Sequence, residues 1–539
     1  MPIGGKEEID ERIAHCRDLP TLVLGNMRKF SNRQFLTDGL TGEKRTFKET
    51  MDDALSIAVK LREMGVGEGT IVAFLSDTTI EVFTFEIAVW LAGGCVCPIN
   101  GSLTIDEICQ ILEISTASVV FCDGGTLPVF EKVQKRLNRK FKVITDAKQD
   151  TYITYHDLLS CDGSKFTPEP YDPDLHVAYV LFTSGTTGVP KGVMLSSFAC
   201  LTNGCRAYQE DSSSLVTSPI YWLSSPACFV NALLQGTELI FLRVNMSTKL
   251  QGLHHLLSCI EKYKPGKWMS SPSVLLDLAN LPEAKNFDLT SLTHLSVGGS
   301  AILASQKKFI CDSLFFGKNI IQERYGCTEA GLFTRQWKHP PPDFGDKKSA
   351  GVGTISPGLE FKIMDIEAGI ELGPNQVGEL FVRSNAMMLG YINRDMPERY
   401  SKHDWYRVGD SCMYDEDGWI YFKARVKEII KYRLLQMVPL DIEKVVIQHP
   451  DVLEVCVVGK PHPIDGEHPL AFVVRKANSN LTEEALAEFV NGQVSDEKRL
   501  RGGVIFKSEL PKSGVGKILR RKLMDEVQLE NFSSQPKLV

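Results

Sequence analysis

One stretch concentrates anion-binding chemistry: Phe182-Thr183-Ser184-Gly185-Thr186-Thr187-Gly188-Val189-Pro190-Lys191-Gly192. An apolar run at 179–182 leads straight into Ser184, Gly185, Thr186, Thr187 and Gly188. Glycines let a backbone approach an anion closely, while hydroxyls and amides donate to phosphate oxygens. Lys191 adds a positive charge. This is not the GxxxxGK[ST] pattern, because the lysine follows Pro190 and precedes a glycine. Ordinary turns seldom gather glycines, hydroxyls and a lysine so densely, so the string reads as a phosphate-binding loop.

Three weaker groups follow it. In Tyr325-Gly326-Cys327-Thr328-Glu329, Thr328 can hydrogen-bond a phosphate and Glu329 can be the carboxylate of a Mg²⁺ site. A helix start capped by threonine would carry the same five residues. Gly298, Gly299, Ser300 and Ala301 come after an apolar run at 295–297. They either leave bare backbone for a flat ring or form a tight turn. Asp410, at the end of Trp405-Tyr406-Arg407-Val408-Gly409-Asp410, can accept both hydroxyls of a ribose, and Arg425 is a forked donor for phosphate or sugar oxygens. Singly, these two and Lys427 read as a turn residue and a solvated face. Lys517 stands behind two glycines in Leu510-Pro511-Lys512-Ser513-Gly514-Val515-Gly516-Lys517, where a long cationic arm can reach into a cleft. Arg520, Arg521 and Lys522 read as an exposed helical turn.

These residues need elements to position them. Strand-like runs at 69–75, 118–122, 177–182, 238–242 and 295–297 alternate with helical spacing at 79–91, 127–137 and 251–263. That alternation predicts layered α/β architecture with parallel strands and helices on both faces. Three prolines at 340–342 mark a loop, and the short runs 378–382 and 419–422 suit antiparallel hairpins. After residue 424 the texture changes to strands at 455–458, 470–474 and 504–506 and a helix at 486–494, separated by Lys-rich polar residues. The expected division is a large N-terminal domain, residues 1–424, and a small mobile α+β C-terminal domain, residues 425–539.

Composition narrows the classes further. The chain has 539 residues, 60 Lys+Arg against 67 Asp+Glu, a net charge of -7, 43% hydrophobic and 24% charged residues. A collagen, a disulfide miniprotein and a wholly disordered chain are excluded. Without an excess of positive charge, no nucleic-acid partner is expected. None of the 14 cysteines forms a CxxC pair, and Cys95 and Cys97 fall in an apolar run read as a buried strand. The start is charged and lacks a secretory apolar region, and the richest apolar run is interrupted by Glu86, so no membrane span is expected. An intracellular location is expected. Cytoplasm is favoured over peroxisome, because the chain ends Pro-Lys-Leu-Val rather than Ser-Lys-Leu.

Together and in this order, the motifs resemble the adenylate-forming superfamily of acyl-CoA ligases, peptide-synthetase adenylation domains and beetle-type luciferases, from about residue 20 to about residue 525. The string at 500–517 resembles the insect luciferase branch in particular. The resemblance implies that 184–191 is the mobile phosphate loop and that Gly298, Gly299, Ser300, Ala301 and Tyr325 flank adenine. It also implies that Thr328 and Glu329 hold phosphate and Mg²⁺, Asp410 binds ribose, and Arg425 bridges ribose and phosphate. Lys427 matches the hinge, Lys517 the lysine of the adenylation step, and Lys431 a lysine presented in a second domain orientation. The implied chemistry is attack of a small carboxylic acid on the α-phosphate of ATP. Such a reaction needs cations and amide donors in line more than a general base.

Several positions depart from the family pattern. Trp222 stands where many relatives carry His, Glu323-Arg324 replaces Gln-Gly, and Ala424 replaces an Asp. Leu434 replaces a glycine that leaves room for the pantetheine arm of CoA. Tyr221, Trp222 and Phe229 suggest an apolar pocket with aromatic walls. Leu434 and the missing Ser-Lys-Leu tilt the second step toward O₂-dependent, luciferase-type oxidation of the adenylate with light emission. The alternative is an acyl-CoA ligase using CoA.

Overall fold

The computed structural model describes residues 3–4, 10–16, 18–183, 190–208, 211–243, 249–335, 348, 351–384, 386–392, 404–433, 435–512 and 517–533. Residues 184–188, 340–342 and 434 of the sequence analysis lie outside them.

Two largely parallel sheets are built from strands between residues 34 and 323, with Gly390–Tyr391 added at one edge. The first runs in the order Gly390–Tyr391, Lys191–Ser196, Val177–Thr183, Cys95–Pro98, Ile71–Leu75, Val119–Cys122, Lys142–Thr145, Ile153–Thr154. The second runs Ile321–Glu323, His294–Val297, Lys267–Ser270, Ser214–Val216, Leu239–Phe241, Gln34–Asp38, Lys44–Thr46. Parallel strands require crossovers, and amphipathic or wholly apolar helices supply them. Helix Ile80–Ala92 is apolar on every side and buried along nearly its whole length. Thr79 caps its start by accepting from Val82 N, and Gly93, at φ +88°, ends it in a left-handed turn. Helix Leu127–Leu137 has the bounds its spacing predicts.

Strand Cys95–Pro98 is buried at all four residues, as the apolar run implied. Its alternation sends Val96 into the aromatic core around Phe74, Phe83, Trp90 and Tyr179, and Cys95 and Cys97 into a separate cluster on the other face. Glu86 is the one buried acid of the apolar helix. The Tyr179 hydroxyl donates to its Oε2 at 2.9 Å, its other oxygen has no partner, and burial pushes the carboxyl up to about 8.

A third, antiparallel sheet includes Leu359–Asp365, Gly378–Ser384, Tyr406–Tyr414 and Trp419–Arg425. A fourth is built only from later residues, in the order Leu435–Met437, Ile430–Tyr432, Gly466–Arg475, Val452–His462, with Gly503–Phe506 also on Gly466–Arg475. The protein is therefore mixed α/β, with a large N-terminal and a smaller C-terminal domain. The smaller part docks on strand Trp419–Arg425, where Lys423 feels the charges of Asp441 and Lys444. No helix among the described residues is long and apolar enough to cross a membrane.

Candidate active site

Several of the sequence motifs lie at strand ends. Gly298 to Ala301 leave the carboxyl end of His294–Val297, beside Ile321–Glu323 and the Tyr325 segment. The carboxyl ends of parallel strands are where α/β sheets hold ligands. Gly298 has a steric reason to be glycine: a Cβ there would come within 2.9 Å of the Arg324 carbonyl oxygen. Gly299, at φ +85°, completes an exposed turn with Ser300 and Ala301.

Asp410 is aimed by its backbone. In the pairing of Gly378–Ser384 with Tyr406–Tyr414, Glu379 faces Ser411 but Phe381 faces Arg407, so extra residues bulge out around Gly409. Gly409 adopts φ +80° in that bulge. Asp410, 1% exposed, then sits across the strand pair from Arg425, whose Nε lies 3.0 Å from Oδ1. On the other side the Tyr325 hydroxyl donates to Oδ2 at 2.5 Å. Burial pushes the Asp410 carboxyl above its ordinary value, while Arg425, the Tyr325 hydroxyl and Lys517 pull it back down. The Tyr325 ring is fixed edge-on to Phe333 at 5.1 Å.

Lys517, 107 residues beyond Asp410 in sequence, joins this cluster. It keeps solvent access but is hemmed by protein. That crowding and the Arg425 charge lower its amine pKa, against Glu428 and Asp410. Arg520 locks the arrangement, with Nε 3.0 Å from Glu428 Oε2 and Nη1 donating to Glu443 Oε1 at 2.7 Å. Arg520 opens helix Arg520–Ser533, whose Arg521 and Lys522 are exposed as the basic run suggested, but Arg520 itself is not. It is mostly shielded, and it ties the short helical turn Val426–Glu428 to helix Pro439–Val446 through Glu443. Lys427 is exposed in that same turn.

Glu329 forms the second focus. Its Oε1 accepts from the Tyr391 hydroxyl at 3.1 Å, and its carbonyl accepts from Met388 N at 2.8 Å. Lys191 stands over the Tyr391 ring, 5.1 Å from its centroid, so the exit of the phosphate-loop motif and Glu329 share one neighbour. Thr328, half-buried, precedes it. Tyr391 was not singled out from the sequence, since a lone Gly-Tyr after an apolar run carries no spacing signal.

Other expected residues fall elsewhere. Lys431 is exposed on Ile430–Tyr432, its backbone N–H held by Glu467 Oε2 at 2.8 Å, and it makes no ion pair with Asp410 or Glu329. Tyr221 and Trp222 are half-buried just before helix Ser224–Gln235, and burial raises the Tyr221 hydroxyl to about 12. Phe229 is a correction to the expected pocket. It is 0% exposed and packs on Phe35, Phe83 and Trp90, because its helix face turns toward the central apolar helix. The atypical pair is held in place: Glu323 is ion-paired with Lys307, and Arg324 donates to the Ala207 carbonyl at 3.2 Å.

The AMP-binding enzyme family model matches residues 25–392, and that of the AMP-binding enzyme C-terminal domain matches residues 441–517. The chain belongs to the AMP-binding enzyme family. It is an adenylate-forming enzyme of the kind that includes CoA ligases and luciferases. The "Probable 4-coumarate–CoA ligase 1" of Dictyostelium discoideum is 29% identical, over 94% of this chain and 95% of that protein. The luciferin 4-monooxygenase of Luciola mingrelica is 30% identical, over 89% of each. A solved anthranilate CoA ligase, AuaEII, shares the fold with a TM-score of 0.84 at 21% identity, covering 95% of this chain and 98% of that one.

Proposed function

We propose that this family member uses ATP and Mg²⁺ to convert a small carboxylic acid to its acyl-AMP, and then transfers the acyl group to the sulfur of CoA, the acyl–O bond breaking as AMP leaves and the thiol giving up its proton. The convergence of Lys517 on Asp410 and Arg425 carries the reading, because it gathers positive charge where a nucleotide's ribose and α-phosphate would lie. The acid's carboxylate attacks the α-phosphate, the new anhydride bond forms, and pyrophosphate leaves with the electrons of the broken P–O bond. Lys517 and Arg425 oppose the charge that builds up, and neither must move a proton.

Asp410 receives the ribose hydroxyls in this scheme, and Tyr325 with Gly298, Gly299, Ser300 and Ala301 flanks the base. Ser184, Gly185, Thr186, Thr187, Gly188 and Lys191 hold the β- and γ-phosphates, with Thr328 beside them. Glu329 suits Mg²⁺, being one half-buried carboxylate that shares the neighbour Tyr391 with Lys191 and is oriented by the Tyr391 hydroxyl. When bound, that ion supplies charge neutralisation to the phosphates. Residues 425–539 then turn as a unit about Lys427 and bring Lys431 to the adenylate.

The CoA step follows relatives named as CoA ligases that align over 94% of the chain. Luciferase-type oxidation with O₂ is the second reading, favoured by the luciferin 4-monooxygenase likeness. Leu434 would bear on the choice. ATP–pyrophosphate exchange over a panel of aromatic and fatty acids, each with and without CoA, tests both steps. Acid-dependent exchange with acyl-CoA product supports the ligase. Exchange with light under O₂ and no acyl-CoA transfers the case to the oxidase. No exchange with any acid overturns the adenylation reading.

A further inference from the structure

Glu329 lies in the turn of a small hairpin that belongs to none of the larger sheets. Strand Gly326–Cys327 pairs with Gly331–Leu332, 2 residues on each side, and Thr328, Glu329 and Ala330 join them. A hairpin that short does not hold its own shape in water, so contacts from outside must fix the turn. One brace is Met388 N, which donates to the Glu329 carbonyl. A second comes from helix Ser197–Ala207, which begins where strand Lys191–Ser196, the exit of the phosphate-loop motif, ends.

Asn203, on that helix and 1% exposed, accepts from Leu332 N through Oδ1 at 3.1 Å. A backbone N–H can meet only the oxygen of the amide, so this contact decides which way the side chain points. Its Nδ2 is then left in the interior, with no partner among the described residues. A buried donor without a partner is a cost that an aliphatic side chain would avoid. The hold on Leu332 offsets that cost. Gly331 serves the same contact. It adopts φ +77°, and a Cβ there would stand 2.2 Å from Asn203 Oδ1, so glycine is what lets the amide reach the next residue's N–H.

We propose that Asn203 is a positioning residue for the Mg²⁺ complex of ATP: it ties the strand and helix that follow the phosphate loop to the hairpin that presents Glu329, and so fixes where that carboxylate stands. The proposal rests on the assignment of Glu329 to Mg²⁺ made above. The two supports divide the work. The Tyr391 hydroxyl orients the carboxylate itself, while Asn203 sets the backbone from which it hangs. Being buried behind the turn, Asn203 acts only through that backbone. Groups placed behind a ligating carboxylate in this way tune its hold on a metal.

The test needs no knowledge of the acid: the full chain is titrated with ATP by calorimetry, once in Mg²⁺ and once in EDTA. The wild type should bind ATP more tightly with Mg²⁺. N203L removes the acceptor but offers an aliphatic side chain to a small internal cavity bordered by Tyr179, Leu195, Cys200 and Val230, so its circular dichroism spectrum should stay native. It should lose about tenfold in affinity for ATP with Mg²⁺, the scale of a change behind a metal ligand, and keep its affinity in EDTA. E329Q should show the same pattern, and adding N203L to E329Q should change nothing further, because both act through one carboxylate. Should N203L fail to fold, N203A carries the same comparison. Undiminished affinity in the Asn203 variant, equal loss with and without Mg²⁺, or additive losses in the double variant would overturn the role of Asn203. A wild type whose ATP affinity ignores Mg²⁺ would overturn the assignment of Glu329, and the proposal with it.

Discussion

The Tyr325 hydroxyl donates to Asp410 Oδ2 at 2.5 Å, joining a residue at the end of a parallel sheet to one on an antiparallel sheet 85 positions later. Neither group is in place by accident of a turn. Tyr325 follows the exit of Ile321–Glu323, and Asp410 is rotated into position by the bulge at Gly409. The pair shapes a buried carboxylate that burial would otherwise favour in its neutral form.

Tyr325→Phe should therefore impair nucleotide use while leaving the fold intact. The ring keeps its edge-on packing with Phe333, but Asp410 loses the donor on Oδ2 and its carboxyl rises further. A lost hydrogen bond to a charged, buried group costs on the order of 1.5–3 kcal/mol. ATP–pyrophosphate exchange should show kcat/KM for ATP reduced about tenfold or more, with KM for the acid little changed. Equal damage to both constants would place Tyr325 against the acid instead.

Lys517→Ala should nearly abolish acyl-AMP formation and spare turnover of presynthesised acyl-AMP. Losing one positioned charge at a transition state costs on the order of 2.7–4 kcal/mol, as for an oxyanion donor. The wild-type adenylation rate has a pH signature as well. Burial and Arg425 lower the Lys517 pKa, so the charged form is lost, and the rate falls, at a lower pH than an ordinary lysine would give. Lys517→Arg should move that descending limb to higher pH, because a guanidinium stays charged. A limb at the same pH in the arginine variant would assign it to another group.

Much of this was legible in the chain. Periodicity located helix Leu127–Leu137 to the residue and placed strand Cys95–Pro98 with its two faces, because local pattern alone decides such elements. The motif residues were legible by type. Their assembly was not: Tyr325 with Asp410, and Arg520 with Glu428 and Glu443, are contacts across long separations that no local spacing encodes. Phe229 misled for the converse reason. An aromatic side chain near Tyr221 and Trp222 looks like pocket lining until the helix face it occupies is known, and that face is the core.

Glu86→Gln should change how stability depends on pH. The buried carboxyl titrates at about 8 in the folded chain against an ordinary value of 4.5. Between those values the native state keeps a proton that the unfolded chain has released. Native stability therefore falls as pH rises through this window, and the contribution is intact below it. The amide cannot ionise, so this fall, on the order of a few kcal/mol, should disappear from the variant. Thermal melts at pH 5 and pH 8 measure it: the Tm difference between the two should shrink in E86Q. A difference as large as in the wild type would mean that the carboxyl is ionised in the native chain.

The last prediction concerns the turn Val426–Glu428. Lys427 is exposed there, between Arg425, which faces Asp410, and Glu428, which Arg520 holds from the C-terminal side. If the C-terminal domain pivots at this point, the backbone of Lys427 must change conformation. Lys427→Pro fixes φ near -65° and removes an N–H, which penalises whichever orientation needs another φ. Because the Lys517 charge already acts on Asp410 in the present arrangement, the proline should preserve acyl-AMP formation if this φ is compatible with it. The following step, which needs Lys431 brought in, should then fall by an order of magnitude or more. The measurement compares single-turnover acyl-AMP formation with consumption of presynthesised acyl-AMP. Parallel loss in both, or no change in either, would move the pivot away from Lys427.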